Sequence, residues 1–311
     1  MSAEPLVHAP GFVSAILPDL GFEDVIRFAR DADYRCVELC CWPVGKAERR
    51  YAGVTHLDVD ALTDAKAAEV NAFLEGQGVF LSGLGYYPNP LDADTARATF
   101  FREHLKKVIV AARRLGLHNV NTFVGRNQAR NEVENLKLFA EVWPPLVKFA
   151  AEHGVNLGIE NCPMYFTYDE WPKGQNLAYS PALWRRMFEL IPDANFGLNY
   201  DPSHLLWMQM DYLKPLREFT HRLHHLHLKD AHVHRDRLDE HGILANPLTF
   251  HTPRLPGRGD IDWGRYFATL REIGWKGPVV VEVEDKDYEG SLEDRKRSLT
   301  DARKFLRTWI P

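Results

Sequence analysis

Val155-Asn-Leu-Gly-Ile-Glu160 is a short apolar run that ends on a carboxylate, and three later stretches repeat the pattern. They are Asn195-Phe-Gly-Leu-Asn-Tyr-Asp201, Leu223-His-His-Leu-His227 and Pro278-Val-Val-Val-Glu282. A strand of a parallel α/β barrel presents a ligand in this way, with its last residue at the C-terminal mouth. Around these four, short apolar runs alternate with longer amphipathic stretches along the whole chain. Strands are expected at residues 12–16, 36–39, 79–84, 119–123, 155–159, 195–198, 222–228 and 279–281. Helical periodicity covers 22–32, 61–78, 95–116, 131–154, 181–190 and 261–274, with a short helix at 216–219 and a C-terminal extra helix within 291–310. Gly78, Gly116, Gly154 and Gly274 follow the last apolar position of four helices, where a left-handed C-cap suits glycine. Eight strand-helix repeats predict an α/β fold, a single (β/α)8 TIM barrel over residues 1–311. No Gly-rich dinucleotide fingerprint follows an early strand, which argues against a Rossmann sheet.

The bulk properties exclude several classes. The chain has 311 residues, 45% hydrophobic and 26% charged, with a net charge of −5, so no global basic field recruits nucleic acid or an acidic membrane. Cys36, Cys40, Cys41 and Cys162 match neither a zinc knuckle nor a secreted disulfide framework. No apolar run reaches membrane-spanning length, and Met1-Ser-Ala-Glu-Pro-Leu-Val-His-Ala-Pro10 lacks the basic start of a signal peptide. A cytoplasmic location is expected. The stretch 231–259 reads as a long loop rich in His, Arg, Pro and Asp, lying over the active-site face.

A single carboxylate at a strand end is ordinarily solvated or caps a helix. Four ligand-type residues at the same relative position on four strands are another matter, because burying carboxylates together without compensation is costly. Glu160, Asp201, His227 and Glu282 are therefore the expected ligands of one divalent cation. Three carboxylates and one imidazole suit manganese above all, with magnesium or cobalt as alternatives. Glu160 and Glu282 would face each other across the ion and serve as acid and base. With a sugar carbonyl and its neighbouring hydroxyl on the metal, they would shuttle the proton between them through an enediolate. Isomerisation, epimerisation and β-elimination all begin with that proton.

Six further residues are candidates for touching substrate. His204 lies three residues beyond Asp201, able to fold back over it. Strand alternation sends His225, His227 and Lys229 to the inward face, where Lys229 could neutralise an enediolate oxygen or else form an ion pair with Asp230 or another carboxylate. His232 follows in the loop, and Arg126 comes after the fourth strand. Trp42 and Tyr86, beyond the second and third strands, are candidates for walling a sugar pocket. Pro256-Gly-Arg-Gly-Asp-Ile-Asp-Trp263 lets backbone N–H groups approach an anion, or forms a tight capped loop.

The motifs Gly158-Ile-Glu160-Asn-Cys-Pro, Asn199-Tyr-Asp201-Pro-Ser-His204, His225-Leu-His227-Leu-Lys-Asp230, Pro256–Trp263 and Val281-Glu282-Val-Glu-Asp285 together resemble the sugar phosphate isomerase/epimerase family. That family belongs to the xylose isomerase-like barrels, which also include endonuclease IV-type enzymes. The resemblance implies a divalent metal on Glu160, Asp201, His227 and Glu282, the two glutamates as acid and base, and substrate contact at His204. Ketose 3-epimerases of this superfamily carry an arginine six residues after the metal histidine, where Val233 stands here, so Lys229 or His232 would take over its contact. Inosose dehydratases and enzymes that eliminate across 3-oxo-glycosides are also related.

The leading expectation is a metal-dependent sugar isomerase or epimerase acting on a small carbohydrate. A lyase acting on a keto-sugar, inosose or 3-oxo-glycoside, with or without a partner subunit, comes second. An abasic-site endonuclease is a distant third, because the net charge is negative. A non-catalytic metal-binding subunit is the reading from outside enzymology, and the paired glutamates argue against it. A homo-oligomer or hetero-oligomer is compatible with all of these.

Overall fold

The computed structural model describes residues 8–45, 53–165 and 171–310. Eight parallel strands close into a barrel in the ring order β1-β10-β7-β6-β5-β4-β3-β2. They are β1 (Pro10–Val13), β2 (Cys36–Cys40), β3 (Phe80–Gly85), β4 (Asn119–Thr122), β5 (Asn156–Glu160), β6 (Phe196–Tyr200), β7 (Leu223–Leu228) and β10 (Val279–Val281). Glu160 pairs with Asn199, and Val280 with His227, which aligns the mouth ends of the strands that carry the candidate ligands.

The helices of the outer ring start where polar caps satisfy orphan N–H groups. Thr63 caps α2 (Asp64–Gln77), Asp94 caps α3 (Thr95–Arg114) and Ser180 caps α5 (Pro181–Leu190). Asn131 and Glu134 form a reciprocal capping box on α4 (Glu132–Glu152). All four anticipated C-terminal glycines have positive φ, between +66° and +72°. The apolar faces of these helices, and of α1 (Phe22–Asp31), close over the outside of the strands in one core, where Phe139, Trp143 and Phe196 pack together.

The structure departs from the sequence reading in three places. β1 begins at Pro10, and Ser14–Ile16 continues it as a 3-10 turn. The segment after β6 adds α6 (Pro202–Trp207) ahead of α7 (Lys214–Glu218), the short helix expected at 216–219. Residues 231–259, read as a loop, instead fold into an antiparallel ribbon of β8 (Asp230–Val233) and β9 (His251–Arg254), with α8 (Arg235–His241) between them. After α9 (Trp263–Glu272) and β10, the expected C-terminal helix forms as α10 (Leu292–Leu306). It is tied to the turn between α1 and β2 by the Tyr34 hydroxyl, which donates to Leu299 O, and by Arg303 on Asp33.

Barrel interiors are usually filled by layers of branched aliphatic side chains. Here the buried set instead includes Glu38, Asn119, Asn121, Asn199, His225 and His227. Glycines make the room: a Cβ on Gly85 would lie 2.5 Å from Glu38 Oε1, and one on Gly158 2.5 Å from Asn121 Oδ1. Among the described residues, no helix is long and apolar enough to cross a membrane.

Candidate metal centre

The four anticipated ligands meet. Glu160 closes β5, Asp201 follows β6, His227 lies in β7 and Glu282 follows β10. One ligand atom from each lies within 4.8 Å of all the others. Glu160, Asp201 and His227 are buried, and Glu282 retains 20% side-chain exposure, so the cluster opens on the Glu282 side. Asp201 caps α6 through Oδ1, which accepts from Ser203 N at 2.8 Å, and its backbone is clamped by the amide of Asn161. The Asn176 amide donates to Glu160 O at 2.9 Å and to Cys162 O at 2.7 Å, fixing the β5 end.

Lys229 enters the same space. Its Nζ donates to Glu282 Oε2 at 2.6 Å and to Glu284 Oε2 at 2.9 Å, and stands 3.2 Å from Asp201 Oδ2. His204 Nε2 is 3.3 Å from Asp201 Oδ2 and 3.5 Å from Glu160 Oε1, while its Nδ1 accepts from Trp207 Nε1. Burial, reinforced by Lys229, holds the His204 imidazole well below its ordinary range, so it is neutral.

The two glutamates are driven apart. Burial and the Glu282 charge push the Glu160 carboxyl well above the usual carboxylate range. Burial opposes ionisation of Glu282 too, but Lys229 and His227 outweigh it and hold that carboxyl below the usual range. Carboxyls separated in this way are suited to unlike acid-base roles.

Beneath the cluster lies a residue that the sequence reading passed over. Glu38, fully buried in β2, accepts from His227 Nε2 at 2.7 Å, from Asn121 Nδ2 at 2.8 Å and from the Tyr87 hydroxyl. Burial works against its ionisation, and His227 overcomes this to keep the carboxyl low. His225 is neutral and fully engaged, with Nδ1 2.9 Å from Asn199 Oδ1 and Nε2 3.0 Å from Ser82 Oγ.

The donor set fits a divalent cation. His227 Nδ1, Asp201 Oδ2 and His204 Nε2 are buried without a hydrogen-bond partner, a costly arrangement unless a ligand completes it. Asp201 Oδ2 has the Lys229 ammonium at ion-pair distance but outside hydrogen-bond geometry. His227 Nδ1 faces Glu160 Oε1 at 3.9 Å and Glu282 Oε2 at 3.7 Å, too far for hydrogen bonds. Glu160, Cys162 and His204 form an overlapping group, but burial raises the Cys162 thiol well above its ordinary range.

The other candidates are distributed differently. Tyr86 does not wall the site: it is fully buried between Trp42 and His104 of α3, at ring distances of 4.9 and 4.7 Å. Residue alternation past the end of β3 sends Tyr86 outward and gives the inner position to Tyr87. Trp42 is half-buried against Tyr86. His232 sits on the ribbon, half-exposed and 3.0 Å from Asp260 Oδ1. Arg126 is nearly buried after β4, its backbone held by Asn89 and its Nε without a hydrogen-bond partner. The glycine-rich turn does bind an anion, but an internal one. The Asp230 carboxylate accepts from Gly257 N, Ile261 N, Ala231 N and Trp263 Nε1.

Residues 26–309 match the model of the xylose isomerase-like TIM barrel. The chain belongs to that family. Among its curated relatives is an uncharacterised protein, YfiH, of Bacillus subtilis, 26% identical over 307 residues, covering 88% of this chain and 92% of the relative. An inosose dehydratase of Histophilus somni is 31% identical over 157 residues, 48% of this chain and 47% of its own length. Solved structures with a similar fold include the IolI protein with a bound zinc atom, at TM-score 0.72 and 15% identity over 97% of this chain and 99% of that one. A D-psicose 3-epimerase of Clostridium cellulolyticum H10 with D-tagatose superposes at TM-score 0.69, with 15% identity over 97% and 99%. The chain is thus similar over about half its length to a dehydratase, and in fold to an epimerase.

Proposed function

We propose that this protein is a divalent-metal-dependent isomerase or epimerase of a sugar or sugar derivative, moving a proton on a carbon next to a carbonyl. The observation that carries the reading is the convergence of Glu160, Asp201, His227 and Glu282 within 4.8 Å, with buried donor atoms left unpaired. These four residues would hold the cation, with manganese favoured by the oxygen-rich set. A divalent ion there would draw electron density from a sugar carbonyl and hydroxyl, acidifying the C–H between them. Glu160 and Glu282 come from strands separated on the ring by β6 and β7, so they reach a sugar from different sides. One carboxylate takes the carbon-bound proton and the other delivers one, at the same carbon for epimerisation or its neighbour for isomerisation. Lys229 places a positive charge where the substrate oxygen becomes negative, and neutral His204 offers a donor to a substrate hydroxyl.

A second reading is favoured by the local identity to inosose dehydratase. In a lyase the same proton is removed, the C–O bond one carbon further breaks, and the leaving oxygen takes up a proton. Lys229, hydrogen-bonded to Glu282 and Glu284, is placed to supply it.

Proton NMR in deuterium oxide separates these outcomes, using manganese-loaded protein with free and phosphorylated ketoses, inososes and 3-oxo-glycosides. Deuterium beside the carbonyl in an intact skeleton supports the isomerase or epimerase. Release of water or of an aglycone makes it a lyase, and no exchange on any compound contradicts both readings.

A further inference from the structure

We infer that Glu38 is a positioning residue that fixes which nitrogen of His227 faces the cation, and so sets how tightly the centre binds it. The inference rests on the metal reading above and goes beyond it, because Glu38 is no ligand of the four-residue cluster. An imidazole can bind a metal through either nitrogen, and the choice is made by whatever holds the other one. Here the other nitrogen is held. Nε2 donates to Glu38 Oε2 at 2.7 Å, which leaves Nδ1 turned towards Glu160 and Glu282.

Glu38 is itself built in place. Asn121 Nδ2 and the Tyr87 hydroxyl donate to its carboxylate, and Asn121 Oδ1 is fixed by Asn119 Nδ2 at 2.7 Å. Gly85, across the β2–β3 pair, leaves the space the carboxylate occupies. Glu38, His225 and His227 also lie close enough together to suggest a second cation site. Their hydrogen bonds argue against one: Glu38 has three donors, and His225 spends both nitrogens on Asn199 and Ser82. The group is a support for the metal centre, with the order carboxylate, imidazole, cation.

The test is calorimetric titration of the EDTA-treated full chain with Mn2+ or Co2+, for wild type, Glu38→Gln and Tyr87→Phe. Glu38→Gln is expected to weaken binding by about 10- to 100-fold, and Tyr87→Phe by a smaller factor in the same direction. Nitrogen-15 spectra of the zinc-loaded wild type should show His227 metal-bound at Nδ1 and protonated at Nε2. A merely structural Glu38 would lower the unfolding midpoint and leave the affinity of folded protein unmoved. Glu38→Gln that is folded by circular dichroism and binds within twofold of wild type overturns the inference. If that variant does not fold, Tyr87→Phe decides, and an unchanged affinity there overturns it. A wild type that binds no divalent ion sinks the metal reading itself and takes this inference with it.

Discussion

The two halves of the barrel contribute to one site in different ways. β5, β6, β7 and β10 bring Glu160, Asp201, His227 and Glu282 to the mouth, at or just beyond the strand ends. β2 and β4 contribute Glu38 and Asn121 from inside the strands, and Tyr87 follows β3; together they grip His227 from below. The second half gathers the candidate ligands, and the first half supplies the carboxylate that holds one of them. Charge can be concentrated at the mouth because the hydrogen bonds beneath it restrict where each group points.

Substitutions in the two halves should therefore fail in different ways. The largest effect is expected for Glu160→Gln at saturating Mn2+. Turnover should fall by about 10²- to 10⁴-fold, the usual contribution of a general acid or base. Full turnover with the ion bound would remove Glu160 from the chemistry. Lys229→Met should come next, lowering turnover far more than metal content measured by plasma mass spectrometry. Equal activity would reduce Lys229 to an ion-pair partner of Glu282 and Glu284.

Further from the mouth, stability rather than rate should respond. Asp230 anchors the glycine-rich turn through three donors and also accepts from Ala231 N, and Asp230→Asn places an N–H group among them. A loss of about 1–3 kcal/mol in urea unfolding is expected. The exposed outer ring offers the smallest effect. The Arg185–Glu218 pair, with side chains 48% and 31% exposed, should contribute about 0–1 kcal/mol when Arg185→Ala is compared with wild type. A loss there as large as that of Asp230→Asn would contradict the division between an organised interior and a solvated exterior.

The same division explains what was legible in the sequence. Glu160 and Glu282 each terminate an apolar run, so the sequence marks both the strand and the carboxylate that joins the cluster at its end. Glu38 sits in the middle of Cys36-Val-Glu-Leu-Cys40, where no strand end marks it. The available signal was a lone charge inside an otherwise apolar strand, affordable only with partners such as Asn121 and His227 that arrive from distant sequence. Tyr86 and Tyr87 are adjacent, and a one-residue error in strand register exchanges inside for outside. The ribbon of β8 and β9 was hidden for another reason. His251-Thr-Pro-Arg254 carries a proline and no alternation of apolar residues, and only its pairing with 230–233 makes it a strand. Likewise the glycine-rich turn announced an anion, but Asp230 became that anion only through the fold.

The most direct test of the central claim is metal stoichiometry by calorimetric titration of EDTA-treated wild type, Asp201→Asn and His227→Ala with Co2+. One ion per chain in the wild type, with binding lost or weakened by orders of magnitude in both variants, is the result expected from a single four-ligand centre. Stoichiometric binding that survives both substitutions would place the ion elsewhere and contradict the account.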